Sequence, residues 1–340
     1  VRSSRFAATA GLLALALASA PAPALGAQSA AMPIVMRIGH AQPVSHPRHK
    51  SLLRFKELVW EKTEGRIRVD VFPAGQLGDE ASMLEATKIG TLQATRGGLF
   101  ELVSPRLLVY TLPFLFDDLD GIEKVTMGPI GERIAKEAEK KGICILATGD
   151  AGGFRQITND LRPVQAPEDL EGMRIRVPDI ATIVRTFEAF GATPVGVPYG
   201  ETYQALKSDL ADGEENPFVN IDAMRFYEVQ KYLTVLDYQF HPDPFNVNLA
   251  WYRALSAQDQ RILKECAVES MRYNNRLVRS AGAASYAKLR NALEVKVLSP
   301  AQRQAFKDRV GGVYDHFIAQ GVTSREEIEE IRAAAKNRHN

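Results

Sequence analysis

Residues 170–178 read Leu170-Glu171-Gly172-Met173-Arg174-Ile175-Arg176-Val177-Pro178. Arg174 to Val177 has the composition of a short strand. In a strand, residues 174 and 176 share one face and Ile175 and Val177 the other. Pro178 stops it. Ile180 to Phe190 follows with helical spacing and is closed by Gly191, and Pro194 to Val197 reads as a second strand. A strand, a helix and a strand in succession are the unit from which α/β layers are built.

The same alternation runs outward in both directions. Upstream, Met36 to His40 predicts a strand, His49 to Lys62 a helix stopped by Gly65, and Arg66 to Phe72 a half-buried strand in which Ile67, Val69 and Val71 alternate with charge. Ala81 to Ile89 predicts a helix ended by Gly90. Leu107 to Phe116 predicts strand and loop, and Ile130 to Lys141 a charged amphipathic helix closed by Gly142. Ile143 to Thr148 and Gln156 to Asn159 read as two strands. Downstream, Glu201 to Leu210 is helical, and His241-Pro242-Asp243-Pro244-Phe245 reads as a crossover between domains. From Ala257 onward the chain is nearly all helix, with one strand at Val295 to Leu298 and a bend or close helix contact expected at Ser280 to Ala284. Together these elements predict α/β layers around a largely parallel sheet.

At the N-terminus, Arg2 and Arg5 precede the apolar run Phe6 to Ala20 and the small, Pro-rich exit Pro21 to Ala27. That order reads as a secretory signal peptide over residues 1–27, with the mature protein starting near Gln28; the rival reading is an uncleaved membrane anchor, for which the apolar run is short. Ser3-Ser4 separates the arginines, so the leader is not of the twin-arginine type. Leu25-Gly26-Ala27 lacks the cysteine needed for lipid attachment. The sequence thus predicts a protein free in solution, without stable membrane insertion. Removing Arg2 and Arg5 changes the formal charge from +1 to −1. So even a balance leaves no footprint for nucleic acid. Cys144 sits in an apolar run and Cys266 in a helical stretch; both read as free, buried residues, with a disulfide between them as the alternative that export permits.

Three segments place polar side chains beside Gly or Pro breaks: Asp150 to Gln156, Gly172 to Asp179 and Asp212 to Pro217. Ligands of open α/β sheets sit beyond the carboxyl ends of strands. Arg176 stands at such an end, and its planar fork matches a carboxylate with two charged hydrogen bonds. Its rival reading is a surface arginine paired with Glu171. Arg155 follows Gly152-Gly153, where backbone can approach a ligand closely. Asn216 precedes Pro217, is held extended, and can both donate and accept.

These segments resemble signatures of the substrate-binding proteins of tripartite ATP-independent periplasmic (TRAP) transporters, of the DctP type. So do Phe72 to Gly78, Leu112 to Phe116 and Phe226 to Leu233, and all keep that family's order from about residue 35 to 330. The resemblance implies a two-domain periplasmic binding protein fold with hinge strands and a long connecting helix. Domain I is expected over 32–153 plus 241–282, and domain II over 154–240 plus 283–330. It also implies that Arg176 pairs with a ligand carboxylate, that Arg155 assists, and that Asn216 bonds the same end. His40 and Tyr199 fall where members place a polar contact and an aromatic wall. The family's frequent Gln-Glu-Asn-Pro reads Glu214-Glu215-Asn216-Pro217 here. Sialic-acid-binding members carry an acidic residue where this chain reads Gln93-Ala94-Thr95-Arg96-Gly97-Gly98, which argues against an amino sugar. Arg96 is expected either to add positive charge to the cleft or to pair with Glu101.

Other functions find little support. The chain has no H-E-x-x-H, G-x-S-x-G, P-loop or G-x-G-x-x-G motif. His46-Pro47-Arg48-His49 reads as a helix start, not a metal pair, and neither metal nor cofactor is expected. Glu214 and Glu215 are adjacent and would face opposite ways in a strand, a poor geometry for a paired acid and base. An exported hydrolase and a binding protein of an ABC system are the rival readings. The expected partners are a small carboxylate ligand and TRAP membrane subunits, with the protein a periplasmic monomer that closes on a hinge. The ligand expected first is a sugar acid or hydroxy acid, whose hydroxyls His40, Gln76, Glu80 and Asn216 would serve. A dicarboxylate is second, given Arg96 and Arg155. An aromatic or branched acid is third, given Phe240, Phe245 and Tyr199.

Overall fold

Strand Ile143–Asn159, 17 residues long, is the axis of the computed structural model, which describes residues 32–336. The expected leader lies outside the described residues. Ahead of the axis come β1 (Ile34–Gly39), α1 (Pro47–Lys62), β2 (Ile67–Phe72), α2 (Glu80–Ile89), β3 (Ala94–Arg96), α3 (Leu119–Thr126) and α4 (Pro129–Lys136). The axis itself is β4. Then follow β5 (Arg174–Val177), α5 (Ala181–Ala189), β6 (Thr193–Gly196), α6 (Thr202–Lys207), β7 (Gly213–Pro217), α7 (Phe218–Ala223), β8 (Tyr232–Val235) and β9 (Phe240–Asn248). The chain ends with α8 (Leu249–Ala254), α9 (Ala257–Ala292), β10 (Glu294–Val297), α10 (Pro300–Arg309), α11 (Gly311–Ala319) and α12 (Arg325–Lys336).

The strand order is β2-β1-β3-β9-β4-β7-β5-β6, with β8 beside β4 and β10 beside β8. The sheet is mixed, not largely parallel. β1 with β2 and β3, β5 with β6 and β7, and β8 with β10 are parallel. The joins that β4 and β9 make are antiparallel. The parallel units come from strand–helix–strand segments, as at Arg174 to Gly196. The antiparallel joins come from two long strands that the sequence disguises.

β4 was expected as two strands parted at Gly152-Gly153. The chain instead bulges there and carries on, with its register against β9 shifting between Asp150 and Phe154. Gly153 takes φ 99, a left-handed value that glycine adopts without strain. The Asp150 carboxylate accepts the amides of Gly152 and Gly153 at 2.9 and 2.6 Å and holds the bulge. The expected crossover at His241 to Phe245 is likewise strand β9. Pro242 and Pro244 cannot donate to a ladder, and they lie across from the stretch of β4 where the register shifts.

Other elements follow local chemistry. Pro47 starts α1, and His46 caps it by accepting the Arg48 amide at 3.1 Å. Asp79 caps α2 through the Ser82 amide at 2.7 Å, and Gly90, φ 88, ends it. Pro105 to Thr111 forms a buried 3-10 helix where strand and loop were expected, because Ser104 caps it and Pro105 begins it. The helix expected to Lys141 ends at Lys136 and tightens into a 3-10 turn over Glu137–Lys141.

α9 is 36 residues long and runs unbroken through Ser280 to Ala284, where a bend or a close helix contact is expected. Its first half packs Leu263, Cys266 and Met271 with Phe55 of α1 and Phe245 of β9. Its last turns place Leu289 with Leu206, Ile221, Phe226 and Leu233. A third and larger cluster joins Phe100, Leu107, Phe187, Phe190, Tyr238, Phe240 and Phe306. Each such fully buried side chain contributes about 1.5–3 kcal/mol. Cys144 is half-buried and Cys266 buried, and both are free. Among the described residues no helix is long and apolar enough to cross a membrane.

Candidate functional site

β5 presents Arg176 at the end of a strand whose Ile175 and Val177 are wholly buried. The guanidinium is 1% exposed, so the surface pairing with Glu171 does not occur. Nε and Nη2 donate to the Val197 carbonyl at 2.9 and 2.6 Å. Among the described residues, none of the ion pairs formed reaches Arg176. Burial lowers its pKa, and the Glu215 charge works against that shift. A buried cation held by a carbonyl and lining a cavity is prepared for an anion from outside.

Arg155, on β4, is equally buried but already matched. Nε and Nη2 grip the Glu215 carboxylate on β7, Nη2 to Oε1 at 2.6 Å, and Nη2 also reaches the Glu215 carbonyl at 2.6 Å. Burial would lower the Arg155 pKa, but the charge and hydrogen bonds of Glu215 raise it overall. The Tyr238 hydroxyl donates to the same carboxylate. Glu214 turns to the other face of β7, as its position predicts, and accepts from Thr158 Oγ1 at 2.7 Å and Asn216 Nδ2 at 2.6 Å. Burial pushes its pKa up to about 7 despite those bonds.

These strands wall an inner chamber of about 30 Å³, with Arg155, Arg176, Tyr199, Asn216 and Glu80 in its lining. By the usual measure of about 10–15 Å³ per water, it has room for about two or three waters. An adjoining cavity of about 410 Å³ shares Glu80, Leu99, Arg176, Pro178 and Tyr199 with it. That outer space matches the lower range of small-molecule sites, about 300–1,000 Å³. The Tyr199 hydroxyl donates to Gln42 Oε1 at 3.1 Å, joining the β6–α6 connection to the segment between β1 and α1.

The expected residues therefore divide. Arg155, Arg176, Tyr199, Asn216 and Glu80 come together on the wall. His40 is buried next to it, with Nε2 3.1 Å from His49 Nδ1, and does not line the chamber. Burial and then the Arg48 charge lower its pKa. Gln76 is exposed in the turn before α2. Arg96 neither lines the cleft nor pairs with Glu101. It binds Asp243 Oδ2 at 2.8 Å and Ser51 Oγ at 2.6 Å behind the wall.

Sequence reasoning missed Arg48, Gln42, Asn220 and His241, all on the inner wall. Arg48 lies on the face of α1 that also carries Ser51, Leu52 and Phe55, so helical spacing alone would have placed a charge on a buried face. Its Nε donates to Asp243 Oδ2 at 3.2 Å, making two arginines on one buried carboxylate. Asn220 Oδ1 lies 3.1 Å from His46 Nε2. Burial and then the Arg48 charge push His46 down to about 3. Burial, followed by three arginines, keeps His241 well below its usual value, so it faces the chamber as a neutral ring.

Residues 38–320 match the family model described as bacterial extracellular solute-binding protein, family 7. The C4-dicarboxylate-binding periplasmic protein DctP of Rhodobacter capsulatus is 30% identical over 94% of this chain and 97% of its own. The 2,3-diketo-L-gulonate-binding periplasmic protein YiaO of Escherichia coli is 29% identical over 87% of this chain and 92% of its own. Among solved structures, the sugar acid binding protein DctPAm of Advenella mimigardefordensis with galactonate superposes with a TM-score of 0.84 at 27% identity. It covers 89% of this chain and 98% of that one. A TRAP periplasmic solute-binding protein of Shewanella oneidensis with bound succinate also gives 0.84, at 29% identity over 90% of this chain and all of that one.

Proposed function

The chain belongs to bacterial extracellular solute-binding protein family 7, the DctP family of TRAP transport, and we propose that it captures a small hydroxy or sugar acid by one carboxylate at Arg176. It has the α/β binding-protein fold of that family, and its work lies outside the cytoplasmic membrane. The observation that carries the ligand reading is the buried Arg176 guanidinium, which among the described residues meets a carbonyl but no carboxylate. Asn216 and Tyr199 flank it, and Arg155 supports the wall through Glu215. Relatives crystallised with galactonate and L-gulonate make a polyhydroxy acid the favoured cargo. One with succinate makes a dicarboxylate the second reading.

Family members are binding proteins. We propose that this chain too releases its ligand unchanged, as a monomer, to TRAP membrane subunits. The two domains of this reading are 32–153 with 241–282, built on β1–β3 and β9, and 154–240 with 283–330, built on β5–β8, with β4 and α9 crossing from one to the other. Closure moves one against the other and excludes water, which strengthens the ion pair at Arg176. The 30 Å³ inner chamber is too small for an organic acid, so a ligand that extends from the outer cavity past Arg176 must widen it.

Calorimetric titration with a panel of hydroxy acids and diacids tests the reading. Wild-type protein should bind a member at micromolar affinity or better, about −8 kcal/mol. Arg176→Ala should weaken that binding by about thirty-fold or more while keeping the fold by circular dichroism. Unchanged affinity in the variant would sink the assignment.

A further inference from the structure

The turn that follows β3 reads Arg96-Gly97-Gly98, and each residue supports a different part of the chamber wall. Arg96 secures Asp243, which in turn holds Arg48 through Nε. Gly97 has φ 97, and a Cβ there would stand 2.3 Å from Arg48 Nη1. Gly98 has φ 83, and its Cβ would stand 3.0 Å from the Glu80 Cβ. Two bare, left-handed residues thus make the room in which the Arg48 and Glu80 side chains stand side by side.

The pair they house is unfinished. Arg48 Nη1 is buried with no hydrogen-bond partner and lies 3.6 Å from Glu80 Oε1, beyond hydrogen-bond range. Arg48 is 2% exposed and Glu80 21%, and both face the inner chamber. Glu80 also faces the outer cavity. An incoming hydroxyl has what both groups lack. Its oxygen can accept from Arg48 Nη1, and its hydrogen can be donated to Glu80. A second carboxylate can accept from Arg48 but meets the Glu80 carboxylate as a like charge, and such repulsion is how a site rejects a near analogue.

We infer that Arg48 and Glu80, placed by Gly97 and Gly98, determine specificity in this cleft by accepting a ligand hydroxyl and rejecting a second carboxylate. This rests on Arg176 taking the first carboxylate. The ligand class that follows is a polyhydroxy acid with one acid group, so an aldonate should bind better than the aldarate with the same carbon chain.

Matched pairs isolate the second carboxylate: galactonate against galactarate, and erythronate against meso-tartrate, titrated by calorimetry. Wild-type protein should prefer the monoacid of the better-bound pair by at least about tenfold. Glu80→Gln should reduce that ratio by about tenfold, through weaker monoacid and stronger diacid binding. Gly98→Ala, which presses on Glu80, should move it the same way. A wild-type preference for the diacid, or an unchanged ratio in Glu80→Gln, overturns the selector. Arg176→Ala separates the two readings. If it abolishes binding while the ratio ignores Glu80, the carboxylate reading stands and the selector fails. If it binds as wild type does, or wild type binds none of these acids, both fail.

Discussion

Arg155 and Arg176 are the same residue type, 3% and 1% exposed, lining one chamber, yet the chain treats them in opposite ways. Arg155 is given a carboxylate by its neighbour strand and gripped at two nitrogens. Arg176 is given a single carbonyl. A buried ion pair completed within the protein is part of the architecture. A buried cation left without its acid is a place kept for one. Residue identity and burial do not separate the two roles, whereas the account of who neutralises whom does.

The contrast predicts opposite phenotypes. Arg176→Ala should weaken ligand binding by about 2–5 kcal/mol, about thirty-fold or more, since the ligand's acid then sits unpaired. Stability of the unliganded protein should fall less than in an arginine whose buried acid is stranded, because the loss of the two bonds to the Val197 carbonyl is offset by no longer burying a cation without an acid. Arg155→Ala should do the reverse at first sight. It strands Glu215 without its cation, and breaking a buried pair costs about 3–5 kcal/mol of stability. Urea unfolding of the two variants without ligand checks the comparison, and a larger loss in Arg176→Ala would erase it.

Glu214 extends the comparison to pH. Its folded pKa of about 7 stands above the ordinary value of 4.5, so the native state keeps a proton that the unfolded chain releases. Its contribution to stability is therefore full below pH 4.5 and is lost as pH rises through about 7. Glu214→Gln removes that group. The stability difference, variant minus wild type, should climb from pH 4.5 to 7 and then level off. Asp150, raised to about 6 by burial, follows the same sign in both proteins and cancels from the difference. A flat difference across this range would show that Glu214 titrates like an exposed carboxyl.

Much of this was legible in the sequence, and the limit has a physical cause. The strand–helix–strand unit around Arg176 reads directly from residues 174 to 196, because period, Pro178 and Gly191 are local signals. So do α1, α2 and the helical C-terminal region. β4 and β9 do not, because Gly152-Gly153, Pro242 and Pro244 are break signals that a bulge opposite a proline-bearing strand absorbs. The completion of Arg155 by Glu215 depends on β4 lying beside β7 in the register Gln156 to Asn216. Arg48 and Arg96 reach Asp243 across nearly 200 and about 150 positions of chain, so no spacing rule joins them. What the sequence conveys is which residues carry charge. What it withholds is which charges are already answered.

Arg174 supplies the control for that distinction, and the smallest expected effect. It stands two residues before Arg176 on the same pleat of β5, and its guanidinium pairs with Asp212. Its side chain is 45% exposed, so water and salt already screen the pair. The Asp212 carboxylate also accepts the Arg174 amide at 2.7 Å, a bond that survives truncation of the side chain. Arg174→Ala should accordingly leave both ligand affinity and the urea midpoint where wild type has them. If it weakened binding as much as Arg176→Ala, the effect would belong to strand β5 as a whole, and the unanswered guanidinium would lose its special role.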